Sequence, residues 1–128
     1  MMKFLSIATA AAVVLGAGLA LAAEPASPAP MAKDGMFVTA KGMTLYTFDK
    51  DATPGKSVCN GPCAANWPAA LVADDAKATG DWSIVSRDDG LKQWAYKGKP
   101  LYAFAKDTKA GDKGGDGFLQ GAWHIAKP

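Results

Sequence analysis

The segment Lys41-Gly42-Met43-Thr44-Leu45-Tyr46-Thr47-Phe48-Asp49-Lys50-Asp51 returns later in the chain as Lys97-Gly98-Lys99-Pro100-Leu101-Tyr102-Ala103-Phe104-Ala105-Lys106-Asp107. Lys, Gly, Leu, Tyr, Phe, Lys and Asp are identical in register. The same offset carries Gly55 onto Gly111, Gly61 onto Gly117 and Trp67 onto Trp123. Agreement extended this far at one offset marks an internal duplication, so the fold must contain two copies of one short unit built around Tyr-x-Phe-x-x-Asp.

Upstream, Asp34-Gly35-Met36-Phe37-Val38-Thr39-Ala40 matches Asp89-Gly90-Leu91-Lys92-Gln93-Trp94-Ala95-Tyr96, with one extra residue in the second copy. In each unit a short β-prone run meets Lys-Gly and a second run follows. That is a hairpin signal, with glycine supplying the positive φ. Side chains alternate along a strand, so Tyr46 and Phe48 share a face, as do Tyr102 and Phe104. Pro100 cannot donate to a ladder and belongs at a strand start or an edge. Trp82-Ser83-Ile84-Val85-Ser86-Arg87 reads as a further strand, and a helical turn is expected near Ala64 to Trp67. The predicted fold is mainly β: a small single domain of two pseudo-repeated antiparallel hairpin units plus additional strands, with little helix outside the leader. Aspartate in place of glutamate, with many glycines, agrees with strands joined by turns.

Residues 1–23 read as a secretory signal peptide: Lys3 is positive, the run from Phe4 to Leu21 is apolar, and Ala20-Leu21-Ala22 fits small-x-small cleavage. A transmembrane anchor is the alternative reading of that run. No cysteine lies near the junction, so no lipid-modified N-terminus and no stable membrane anchor after cleavage are expected. Residues 24–33, rich in Pro, Ala and Ser, read as a flexible mature N-terminus. The domain follows over 34–126, with unit one at 34–68, a connecting segment at 69–88 and unit two at 89–124. A mature chain of roughly 100 residues supports one modest core.

Export makes the two cysteines, Cys59 and Cys63, read first as a disulfide. Gly61 and Pro62 between them favour a tight turn. The units diverge here, because the second carries a glycine-rich turn, Gly114-Gly115-Asp116-Gly117, in place of the cysteine turn. Lysines and aspartates are interspersed and the formal net charge is +2, so no basic stripe for nucleic acid is present.

The residues Tyr46, Phe48, Asp51 and Tyr102, Phe104, Asp107 match the signature Tyr-x-[Phe/Trp/Tyr]-x-x-Asp. With the surrounding Gly-x-x-Leu-Tyr, Cys-x-Gly-x-Cys-Ala-x-x-Trp-Pro and Gly-Lys-Pro-Leu-Tyr segments, the chain from Asp34 to His124 resembles the bacterial secreted-repeat family of predicted lipoproteins. The resemblance implies export and a location in the periplasm or medium. It implies no reaction, and this chain lacks the lipid-acceptor cysteine of the lipoprotein members.

The aromatic pairs read as core, with a ligand groove as the alternative. Asp51 and Asp107 read as Asx turns capping strand ends, with a metal or cationic ligand as the alternative. Asp107, Asp112 and Asp116 fit no calcium-loop spacing and read as a surface loop. Cys59 and Cys63 with His124 would make a soft ligand set for Cu(I), and a copper-binding or redox-related role for these three is the alternative function. A single histidine, no Gly-x-Ser-x-Gly elbow and no Cys-x-x-Cys leave no catalytic constellation. The expectation is therefore an exported, non-enzymatic module without cofactor that binds an envelope partner or small ligand.

Overall fold

The computed structural model describes residues 26–128; the expected signal peptide, residues 1–23, lies outside them. Among the described residues there are seven short strands and two single-turn helices. They are β1 (Met31–Lys33), β2 (Met36–Val38), β3 (Tyr46–Phe48), α1 (Pro62–Asn66), β4 (Trp82–Ser86), β5 (Lys92–Tyr96), β6 (Lys99–Pro100), α2 (Phe118–Gly121) and β7 (Trp123–Ile125). The sheets run β1-β2, β3-β7 and β4-β5-β6, all with antiparallel neighbours. The fold is mainly β, as the sequence predicts.

Both Lys-Gly turns form. In the second unit Lys97 and Gly98 take φ of 51° and 83° and pair Tyr96 with Lys99, a two-residue turn whose positive φ values match the strand twist. In the first, Val38 bridges Thr44 across a longer loop closed by Thr39 N–H to Met43 O at 2.9 Å. Space beside the glycines of these turns is also tight. A Cβ on Gly42 would sit 3.0 Å from Ala110 Cβ, and one on Gly98 3.1 Å from Pro54 Cβ. Each hairpin thus abuts a loop of the opposite unit.

The copies are related by an approximate two-fold axis, and they interlock. Tyr46 and Tyr102 exchange backbone hydrogen bonds with each other, at 2.7 and 2.9 Å. The strand that completes β3 comes from the end of unit two, with Tyr46, Thr47 and Phe48 opposite Ile125, His124 and Trp123. The equivalent stretch of unit two is completed by unit one, through Ala103 N–H to Pro68 O and Ala105 N–H to Asn66 O. Alternation along these central strands separates two cores. Leu45 and Leu101 pack with Phe37, Trp94, Ala70 and Ala126. Tyr46, Phe48, Tyr102 and Phe104 pack with Cys59, Trp67 and Trp123.

The segment expected to be a flexible N-terminus is, from Ala26 onward, laid against the domain. Ser27 N–H donates to Leu71 O, Ala73 N–H and the Trp94 indole N–H both donate to Ser27 O, and Met31–Lys33 forms β1. A mostly buried indole N–H requires an acceptor, and Ser27 supplies it. Local composition gives no sign of that long-range contact.

Candidate functional site

The six signature residues are brought together about the pseudo-two-fold axis. Tyr46, Tyr102, Phe48 and Phe104 are all buried, in the core positions that alternation assigns them. The closing tryptophans Trp67 and Trp123 stack face to face at 3.7 Å with 3° between planes, and Phe48 and Phe104 stack on Trp123 and Trp67 at 4.1 and 4.2 Å. Four aromatic rings thus form one continuous pile.

Asp51 and Asp107 do not make the expected Asx turns. Each carboxylate closes a wider loop, Asp51 accepting from Val58 N–H at 2.7 Å and Asp107 from Gly114 N–H at 2.9 Å. The second oxygen of each accepts the phenolic hydroxyl of the other unit's tyrosine: Tyr46 to Asp107 and Tyr102 to Asp51, both at 2.5 Å. The carboxylates are buried, so these donors offset the loss of hydration. Burial, and then the neighbouring carboxylate, pushes both phenols well above the ordinary tyrosine range. They stay protonated donors.

The two clasps differ in their surroundings. Gly115 N–H donates to Tyr46 Oη at 3.2 Å, and a Cβ on Gly115 would meet the Trp67 ring at 2.6 Å. In the other clasp Ser57 Oγ lies 2.6 Å from Tyr102 Oη and accepts from Arg87 Nη1 at 3.1 Å. The buried Arg87 also donates to Gln93 Oε1, to Cys59 O and to Asp89, and Gln93 donates to Leu101 O. Burial raises the Asp51 carboxyl above its usual range, with the bonds from Tyr102 and Val58 and the charge of Arg87 pulling the other way. Sequence reading missed Ser57, Arg87 and Gln93. The one signal was an arginine at the end of an otherwise uncharged strand, which local pattern cannot distinguish from a solvated charge.

Cys59 and Cys63 form the expected disulfide, with Sγ atoms 2.06 Å apart. Cys59 is buried against the aromatic pile, while Cys63 is partly exposed on α1. The structure does not bring together Cys59, Cys63 and His124, the residues of the copper reading. His124 meets Asp49, Nε2 to Oδ2 at 2.9 Å, in an exposed pair, and among the described residues no three His, Cys, Asp or Glu side chains gather for a metal. Alternation explains the separation. Trp123 turns inward to the core that holds Cys59, so its neighbour His124 turns outward.

Two surface concavities stand out, the first over the core of Phe37 and Leu101 and the second against the aromatic pile. One, of about 360 Å³, is lined by Thr47, Asp49, Lys99, His124 and Lys127 over Phe37 and Tyr96. The other, of about 330 Å³, lies between α1 and α2. Its walls include Cys63, Trp67, Phe104, Phe118, Leu119 and Trp123, with Asn66 and Lys106 also lining it. Phe118 and Leu119 are 43% and 57% exposed. Leu119 and Gln120 both hold φ of 57°, a left-handed conformation costing roughly 1 to 3 kcal/mol per non-glycine residue. Asp112 caps the nearby turn by accepting from Thr108 and Lys109 N–H, as expected of a surface loop.

Among the described residues no helix is long and apolar enough to cross a membrane. No curated protein and no solved structure matches the chain. The model of a family described as a secreted repeat of unknown function matches it twice, over residues 31–71 and 83–127, one match to each copy of the duplication. The chain therefore belongs to this family of secreted repeats.

Proposed function

We propose that this protein is an exported, non-enzymatic binding module of the periplasm, and that its ligand seats in the aromatic groove between α1 and α2. The observation that carries this reading is the pair Phe118 and Leu119, held out into solvent beside Trp67 and Phe104, with Leu119 on a left-handed backbone. Exposed apolar residues on strained backbone are a cost to a free domain, and a ligand that covers them offsets it. The preferred ligand is apolar or aromatic. A buried phenylalanine contributes roughly 1.5 to 3 kcal/mol on leaving water.

A binding role is also favoured over catalysis by the way the reactive groups are used. The phenols and signature carboxylates satisfy one another, and His124 bonds to Asp49 and to no hydroxyl among the described residues. The alternative cleft beside His124 is lined by exposed polar and charged side chains, and an exposed contact such as His124 with Asp49 is worth little.

Titration with a panel of amphiphiles and apolar peptides, followed by tryptophan emission, tests the proposal. Saturable binding, weakened tenfold or more in Phe118→Ser or Leu119→Ser without loss of melting temperature, is the expected outcome. No binding across the panel, or binding unaffected by both substitutions, rejects the groove. Turnover of an envelope substrate that disappears in Asp51→Ala or Asp107→Ala rejects the non-enzymatic reading.

A further inference from the structure

The three-stranded sheet ends on β4, whose one partner among the described residues is β5. The ladder's parity is fixed at both ends, by Arg87 N–H to Leu91 O and Lys97 N–H to Asp81 O. Odd-numbered residues of β4 therefore turn their backbone groups toward β5, and even-numbered residues turn theirs away. Trp94, opposite Ile84, agrees: its N–H goes to Ala70 O and its carbonyl accepts from Leu101, both on the side away from β4. The N–H and C=O of Ile84 and Ser86 consequently face outward, and no described residue pairs with them.

Natural sheets guard such an edge with lysine, proline, a bulge or a covering element. Trp82-Ser83-Ile84-Val85-Ser86 has neither charge nor proline and is rich in strand formers. Ile84 is 38% exposed, and Trp82, on the same face, is only partly buried.

We infer that β4 is the pairing edge for a second copy of this chain, added antiparallel about a two-fold axis through Ile84. The strand's own pattern specifies this occupant. With Ile84 opposite Ile84 of the other copy, the two outward N–H groups donate to the two outward carbonyls. On either side Ser86 falls opposite Trp82, and the Ser86 N–H reaches the Trp82 carbonyl, while the Trp82 N–H is already bonded to Thr79 O. One surface serves both copies, as an isologous interface requires. The same register sets Asp81 opposite Arg87, whose guanidinium stays buried in its own clasp, and Asp88 opposite Gly80, so no like charges stand directly opposite each other. The product is one continuous six-stranded sheet that covers Ile84.

Sedimentation equilibrium from micromolar to millimolar concentration tests this, together with amide hydrogen exchange. The expected result is a reversible dimer with Ile84 and Ser86 amides protected. Ile84→Lys, which sets two like charges face to face, should weaken it at least tenfold and release both amides. Should Ile84→Lys fail to fold, Ser86→Pro serves instead, because it removes only an outward donor. A wild-type chain that stays monomeric throughout overturns the inference, including the case in which the edge accepts an extended segment of another protein. So does a dimer that survives the substitution.

Discussion

The hydroxyl of Tyr46, in the first unit, lies 2.5 Å from the carboxylate of Asp107, in the second. The reciprocal pair, Tyr102 with Asp51, has the same length. In neither Tyr-x-Phe-x-x-Asp segment does the tyrosine hydroxyl bond to its own aspartate: each tyrosine is completed by the aspartate of the other copy. The signature is thus a rule for joining two units, and its conserved spacing within this chain follows from geometry. The strand delivers the tyrosine inward, and five residues on the chain has turned far enough to present the carboxylate to the partner strand.

Removing either hydroxyl leaves a buried carboxylate one donor short. Tyr46→Phe and Tyr102→Phe should each destabilise the domain by about 1 to 3 kcal/mol in denaturant unfolding. A double-mutant cycle of Tyr46→Phe with Asp107→Asn should show coupling of 0.5 kcal/mol or more, on the order expected for contacting residues. Strict additivity would show that the cross-unit bond contributes nothing to folding.

Asp51 gives the clasp a pH dependence of defined sign. Burial raises its folded carboxyl above the ordinary value, so the protonated form is favoured in the fold. That contribution is fully present below the ordinary carboxylate range and is lost as pH rises through the higher, folded value. Stability measured against Asp51→Asn should therefore move in favour of asparagine as pH rises from the ordinary carboxylate range through the higher, folded value. A difference constant with pH, or moving the other way, would show that the bonds from Tyr102 and Val58 outweigh burial.

Much of this fold could be read from local pattern. Lys97-Gly98 set its own turn, Trp82 to Ser86 its own strand, and alternation placed Tyr46 and Phe48 on one face. What stayed hidden were relations between distant residues. Nothing near Ser27 marks it as the acceptor for Trp94, and nothing near Trp123 shows that it pairs with Phe48 and not with its own unit. The aspartates were assigned to local turns because their partners lie in the other copy. The groove was legible only in part. Trp67 and Phe104 were visible as repeat residues, but the left-handed backbone at Leu119 and Gln120 runs against the preference of both residue types and arises from the closure of α2 onto β7.

The disulfide makes a bounded contribution. The loop it closes is short, so Cys59→Ser/Cys63→Ser should cost about 2 kcal/mol and leave a folded domain. Thiol labelling of protein taken from its compartment should find both cysteines unreactive until reduction. Because Cys63 lines the groove, the same variant should also alter ligand affinity. Immediate labelling of both thiols would contradict the bonded state.

The interlocking predicts how the two halves behave apart. Residues 26–81 contain β3 but not β7, its ladder partner, and residues 82–128 contain Tyr102 but not the Pro68 and Asn66 carbonyls that complete its strand. Each fragment would also leave half of the Trp67–Trp123 stack and one carboxylate or phenol of each clasp without its partner. Neither fragment should therefore fold alone. Mixed in equal amounts they should associate and recover the near-ultraviolet circular dichroism of the intact chain, since the cut falls in the exposed turn before β4 and breaks none of these contacts. Tyr102→Phe in one fragment should weaken that association by roughly tenfold, corresponding to about 1.4 kcal/mol. If either fragment alone showed native-like tryptophan signals, the units would be independent and the cross-unit clasp dispensable.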